Sequence, residues 1–165
     1  MGSGKTTLGR ALSVATGRRF VDLDHYIENR YCCSVRDIFQ KYGEDRFRQI
    51  ERSMLHEVAD FEDVIVACGG GTPCFFDNVN YMNEHGITVF LDTPIDRLHS
   101  RLMRGRAKRP LIADKTDEEL MTFIAEALQA RMPFYSKANH KFSSQLLETK
   151  SEIALSVKQF IEQFL

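Results

Sequence analysis

"GSGKTT", residues 2–7, stands one residue into the chain and is followed at once by a helical pattern. Gly2 and Gly4 leave the backbone bare, so that successive N–H groups can converge on phosphate oxygens. The start of a helix adds the positive end of its dipole. Lys5 has the reach to touch outer phosphates, and the Thr6 hydroxyl is a hard oxygen donor suited to magnesium. Ser3 and Thr7 complete the loop. Leu8, Ala11, Leu12 and Ala15 recur at helical spacing, and Gly17 offers the stop. A glycine turn followed by a lysine and a helix is the signature of a nucleotide-phosphate loop in an α/β fold. In the full pattern, G-x-x-x-x-G-K-[ST], the first glycine would lie two residues before Met1.

The rest of the chain alternates in the way such a fold requires. "RFVDLD" (19–24) reads as a strand ending in acids. Ser34 and Asp37 suggest the start of a short helix, and Phe47, Ile50, Met54 and Val58 mark one face of a long helix over about 44–59. "DVIVACGGG" (63–71) and "GITVFLD" (86–92) read as strands. A helix over 95–104 precedes a loop, 105–115. Thr116 and Glu119 form a capping box for the next helix, which Pro133 is expected to end. "HKFSS" (140–144) reads as an edge strand, and Ile153, Val157, Phe160, Ile161 and Phe164 give a closing amphipathic helix. Strands alternating with helices predict a parallel sheet covered on both faces, with ligands beyond the carboxyl ends of its strands.

The 165 residues fit a single domain, 1–165, and 43% apolar content is enough for a core. A net charge of −1 gives no global reason to expect a nucleic-acid or membrane partner. Cations do gather between Arg97 and Arg109. The four cysteines, Cys32, Cys33, Cys68 and Cys74, form no C-x-x-C pair, so neither a zinc site nor a disulfide framework is expected. With no signal peptide and no long apolar run, the expected location is the cytoplasm.

Several residues point to an acceptor site. Asp22 and Asp24, two apart on the end of a strand, would project to one face. One can hold magnesium through water; the other can bind hydroxyls or take a proton. Taken alone, the pair also fits a helix N-cap beside a surface acid. Gly69–Gly71 leave a buried strand and let a ligand approach the backbone. Arg48, with Glu51 three residues on, could be surface decoration. Arg131 lies beside the core-facing stripe of its helix, where a cation usually wants an anion. Two arginine forks make a good receptor for a small carboxylate. Arg109, in a basic loop before Pro110, is placed to cover a transferring phosphate.

Taken in order, "GSGKTT", "FVDLD", "FRQIE", "CGGGTP", "RPLI" and "ARMPFY" make the chain resemble the shikimate kinases over nearly its whole length. The resemblance implies a nucleotide-binding parallel sheet in the order 2-3-1-4-5 with a lid at about 105–115. It implies transfer of the ATP γ-phosphate to the 3-hydroxyl of shikimate, on the route to chorismate and aromatic amino acids. By the same resemblance, Gly2, Ser3, Gly4, Lys5, Thr6 and Thr7 would hold ATP, with magnesium at Thr6 and, through water, Asp22. Asp24 would bind shikimate hydroxyls and take the proton. Arg48 and Arg131 would clamp the shikimate carboxylate, Gly70 and Gly71 would line its pocket, and Phe39 and Phe47 would wall it. Lys5 and the lid residue Arg109 would stabilise the moving phosphoryl group. Arg101, or alternatively Arg104, would face the adenine. The expected partner is the small molecule shikimate, with no nucleic acid, no membrane, and a monomeric chain. The family begins with a strand that becomes the middle of the sheet. Without it, both neighbours lose their backbone partners, so Met1 is expected to be an internal residue of the natural protein.

Other readings compete. A gluconate or nucleoside kinase would lack the combination of Arg48, Gly69–Gly71 and Arg131. A non-catalytic nucleotide-binding module is opposed by the acids and the lid arginine. A nucleic-acid contact through the basic loop ranks last, because no aromatics interleave it.

Overall fold

The computed structural model describes residues 2–104, 112 and 114–165. Helix α1 (Lys5–Thr16) leads into β1 (Arg19–Asp22), α2 (Leu23–Tyr31) and α3 (Val35–Ala59). Then come β2 (Val64–Ala67), a turn of 3-10 helix (Thr72–Cys74), α4 (Asn78–His85), β3 (Val89–Asp92) and α5 (Ile95–Arg104). The chain closes with α6 (Asp117–Tyr135), β4 (His140–Ser143) and α7 (Lys150–Phe164). The α/β alternation expected from the sequence is present.

Local chemistry sets the helix ends. Gly17 closes α1 in the left-handed conformation, with φ 74°. Ser34 and Asp37 form a reciprocal capping box at the start of α3, as Thr116 and Glu119 do for α6. A third box, Thr149 with Glu152, starts α7. Gly43 breaks α3 with φ 77° and ψ 174°, values that no helix contains. The short helix and the longer one beyond residue 44 are therefore two segments joined at a glycine.

Three expectations are corrected. "RFVDLD" is a strand only to Asp22; Asp22 is the N-cap of α2, its Oδ1 accepting from the His25 N–H at 3.5 Å. Asp24 therefore sits in the first turn of a helix, and the same-face geometry of a strand does not apply to it. Pro133 lies inside α6, which runs on to Tyr135. Proline removes one backbone donor, but the Ser136 N–H still bonds the Met132 carbonyl and closes the turn. Helices α2 and α4 were not expected from the sequence.

The four strands form two parallel pairs, β1 with β2 and β3 with β4. Among the described residues, nothing pairs with the other edge of β2 or of β3. A cavity of about 620 Å³ is lined by consecutive residues of each strand, Val64–Ala67 and Val89–Leu91. Side chains alternate across a strand, so a cavity that meets every residue in turn is bounded by the strand edge. Accordingly Val64, Ile65 and Val66 are only half-buried, unlike the centre of a covered parallel sheet.

The core is divided around this gap. Val21, Leu23, Ile27, Phe47, Ile50 and Val58 unite β1, α2 and α3. Leu8, Leu12, Phe142 and Leu147 join α1 to β4 and, through Phe160 and Phe164, to α7. Leu98, Leu102, Leu120 and Ile124 join α5 to α6. The carboxyl ends of β1 and β2 and the start of α1 meet at one cleft.

Candidate active site

The phosphate end of the cleft is the start of α1. Gly2 and Gly4 take φ of 77° and 88°, open to glycine and strained for other residues. No side chain caps α1, so the first-turn N–H groups of the helix are free for an anion. A Cβ on Gly4 would collide with the Leu147 side chain. Lys5 Nζ is 3.4 Å from Ser3 Oγ. Burial lowers the Lys5 pKa, against the pull of the Cys68, Asp24 and Asp22 side chains.

The Thr6 hydroxyl donates to Asp22 Oδ2 at 3.0 Å. The two oxygens expected at magnesium are thus adjacent. Among the described residues no cluster of three or more His, Cys, Asp or Glu side chains could hold a metal. Two hard oxygen groups without a protein cage suit magnesium, which keeps waters and shares phosphate oxygens.

Asp24 opens to solvent at the mouth of the cleft, yet protein crowds it on the inner side. Desolvation raises its pKa first, followed by the charges of Asp22 and Glu51, with Lys5 opposing. A Cβ on Gly69 would lie 3.2 Å from Asp24 Oδ1 and 3.4 Å from Glu51 Oε1. The Asp24 carboxylate therefore stands between the phosphate loop and the glycine turn.

The far end of the cleft is built on α3, the 3-10 turn and α6. Glu51 is 1% exposed and accepts from Arg48 Nη1 at 2.9 Å and from the Thr72 hydroxyl at 2.6 Å. Asn78 Nδ2 donates to the Thr72 carbonyl at 2.8 Å. A buried carboxylate needs such partners, and these fix the helix to the turn. Arg48 also donates to Glu44 through Nε and Nη2, at 3.2 and 2.9 Å. Its guanidinium lies 4.0 Å from the Phe75 ring centroid. A Cβ on Gly71 would come within 2.9 Å of Arg48 Nη1, so a larger residue there would push the guanidinium aside. The Tyr135 hydroxyl donates to the Gly70 carbonyl at 2.7 Å. Tyr135 also shares a hydrogen bond with Arg131, and burial raises its pKa. Arg48 lies against Gly71, and Arg131 lines one cavity with Gly70 and Pro73, so both border the same turn.

The structure thus gathers Lys5, Thr6, Asp22 and Asp24 at one end, and Arg48, Gly70, Gly71 and Arg131 at the other. Phe39 stacks on Phe47 with centroids 4.3 Å apart, but Phe47 is 2% exposed and belongs to the core. Phe75 is the ring that meets Arg48, and no spacing rule in the sequence marks it. Arg109 and the rest of 105–111 lie outside the described residues. Arg101 donates to Glu148 at 2.7 Å, to the Ser144 carbonyl at 2.9 Å and to the Gly2 carbonyl at 3.3 Å. Arg104 pairs with the other Glu148 oxygen at 2.7 Å and is largely exposed. Hydrogen bonding from Arg101, then the charges of both arginines, holds the Glu148 carboxyl below its ordinary range. Glu44, Glu51 and Tyr135 were missed as site residues. Their signal was spacing: four before, three after and four after an arginine of the clamp.

Known proteins resemble this chain over almost all of its length. The family model described as shikimate kinase matches residues 1–162. A shikimate kinase of Phocaeicola vulgatus is 57% identical over 157 residues, covering 95% of this chain and 90% of the relative. The crystal structure of a shikimate kinase from Bacteroides thetaiotaomicron superposes with a TM-score of 0.96 at 47% identity, covering 98% of this chain and 92% of that one. A shikimate kinase from Acinetobacter baumannii, solved in complex with shikimate, gives a TM-score of 0.82 at 32% identity, covering 97% and 86%.

Proposed function

The chain belongs to the shikimate kinase family, and on that premise we propose that its cleft transfers the γ-phosphoryl group of ATP to the 3-hydroxyl of shikimate. The observation that carries the reading is the position of Asp24. It lies between a lysine-bearing phosphate loop on one side and an arginine-lined glycine turn on the other.

The residues divide the work by chemistry. The Gly2–Thr7 backbone and Lys5 cradle the phosphates, and Lys5 neutralises charge on the group in flight. Thr6 and, through water, Asp22 would hold magnesium, which when bound would draw charge from the phosphate oxygens. Arg48 and Arg131 grip the carboxylate of shikimate, and Gly70 and Gly71 leave room for its ring. That grip decides which hydroxyl faces ATP. The hydroxyl oxygen bonds to the γ-phosphorus as the bond to the bridging oxygen of ADP breaks, and Asp24 accepts the hydroxyl proton. A carboxylate with a raised pKa is the better base for that proton. Arg109 is assigned to the transferring phosphate, and Arg101 to the adenine edge of the nucleotide site.

Cys32, Cys33, Cys68 and Cys74 are free thiols, which supports a cytoplasmic setting. Among the described residues no helix is long and apolar enough to cross a membrane.

The test is ADP release with magnesium and ATP, measured with shikimate, gluconate, nucleosides or no acceptor. Release that depends on shikimate is expected. Equal release with every acceptor, or with none, would contradict the reading.

A further inference from the structure

Each in-plane edge of the Arg48 guanidinium meets protein, and two of the three carry a carboxylate. Its side-on edge, Nε with Nη2, points at Glu44 Oε1 at 3.2 and 2.9 Å. Nη1 donates to Glu51 Oε2 at 2.9 Å. The Nη1–Nη2 end abuts Gly71, where a Cβ would lie 2.9 and 3.0 Å away. One face is covered by the Phe75 ring. The partners differ in how firmly they are held. The Glu51 side chain is 2% exposed and is fixed by Thr72, whereas the Glu44 side chain is 55% exposed. Glu44 also follows Gly43, where α3 breaks and nothing lies within 4 Å of the Cβ that a larger residue would carry. The solvent side of the guanidinium is therefore occupied by an internal carboxylate on an open glycine joint. It sits on the two-donor edge that best fits a carboxylate.

We propose that Glu44 is a specificity-determining residue: it occupies the seat of the substrate carboxylate on Arg48 and is displaced when substrate binds. The inference rests on the reading of Arg48 as a carboxylate clamp. An incoming carboxylate exchanges one ion pair at Arg48 for another, so that contact alone yields little net affinity. Only a ligand that also satisfies Asp24 and Arg131 gains enough to expel Glu44. The same cost falls on every carboxylate, so those without hydroxyls, which gain nothing at Asp24, are left too weakly bound to stay, without any clash being built against them.

Calorimetric titration of the full chain tests this without relying on turnover. Shikimate and benzoate, a ring carboxylate without hydroxyls, are titrated into wild type, Glu44→Gln, Glu44→Ala and Arg48→Ala, with melting curves to check folding. For both Glu44 variants the Kd of shikimate should fall about two- to fivefold, the size expected for release of a solvent-facing ion pair. The Kd of benzoate should fall at least as far, ATP affinity should hold, and the gain should shrink in high salt. In the double variant Arg48→Ala/Glu44→Gln the gain should vanish. If Arg48→Ala weakens shikimate while the Glu44 variants leave its Kd unchanged or raised, Glu44 braces Arg48 and the displacement idea fails, with the clamp intact. If Arg48→Ala leaves shikimate binding unchanged, the clamp and the displacement idea fail together.

Discussion

The carboxylate end of the cleft and the middle of the sheet come from the same chain, yet they are finished to different degrees. Around Arg48, two carboxylates and a glycine backbone meet the edges of the guanidinium, and a phenyl ring covers one face. Between β2 and β3, two strand edges face a cavity of about 620 Å³. The first region is held by side chains on α3 and the glycine turn, in contact over short distances. The second depends on backbone pairing that has no partner among the described residues. Both ligand halves of the site touch the gap. Ser3 and Lys5 of the phosphate loop border the cavity, and so do Gly70 and Arg131 of the acceptor end, whereas Asp24, Arg48 and Glu51 do not. The sheet should therefore bear on both ligands.

The largest effect is expected where the halves meet. Asp24→Asn should lower turnover by about 10²- to 10⁴-fold, the usual weight of a general base. The melting midpoint and the affinity for ATP should change little, because Asp24 is exposed at the cleft mouth. Steady-state rates beside a melting curve check this; near-normal turnover would remove Asp24 from the chemistry. Next comes the sheet. Joining a five-residue apolar strand before Met1 should fill the gap and pair both edges. Burying about three Val or Ile side chains contributes roughly 5 kcal/mol, on the order of 10–20 °C in melting midpoint for a chain of this size. Affinity for ATP and for shikimate should both improve. An unchanged midpoint, or a gain confined to one ligand, would break the comparison.

Arg131→Ala should weaken shikimate binding about 10- to 100-fold, as loss of a charge-assisted hydrogen bond does. ATP binding should be spared. Titration of both ligands decides it, and equal losses would contradict the clamp. The smallest effect concerns the tie between the phosphate loop and 144–148. Glu148 has a folded pKa below its ordinary value of 4.5. Its contribution to stability is present above that value and is lost as pH falls through the folded pKa. Glu148→Gln should therefore lower the melting midpoint slightly at pH 7, and the gap to wild type should close as the pH falls below 4.5. A gap that widened on acidification would reverse the assigned sign.

Much of this layout was legible in the sequence because it rests on local rules. Gly17, the Ser34–Asp37 box and the Thr116–Glu119 box fix helix ends through contacts three or four residues apart. The ordered motifs of the family pointed to the phosphate loop, Arg48 and Arg131, which the fold brings to one cleft. What escaped depends on tertiary context. "RFVDLD" carries an apolar run and an N-cap residue at once, and only packing of Leu23 and Ile27 against α3 decides where strand gives way to helix. Helix α4 is mostly polar and presents a weak apolar stripe, with Asn78 and Val79 its buried residues. Phe75 reaches Arg48 across the fold, at no sequence spacing that marks it. Glu51 looked like surface decoration until its burial and its bond to Thr72 showed otherwise.

The central claim is that one cleft joins a phosphate loop to a carboxylate clamp through Asp24, so that a single hydroxyl receives the phosphoryl group. Phosphorus NMR of the chain with ATP, magnesium and shikimate tests it most directly. The account predicts ADP and shikimate 3-phosphate forming in equal amounts, and both forming about 10²- to 10⁴-fold more slowly with Asp24→Asn. ADP without phosphorylated shikimate, or phosphate on a different hydroxyl, would contradict it.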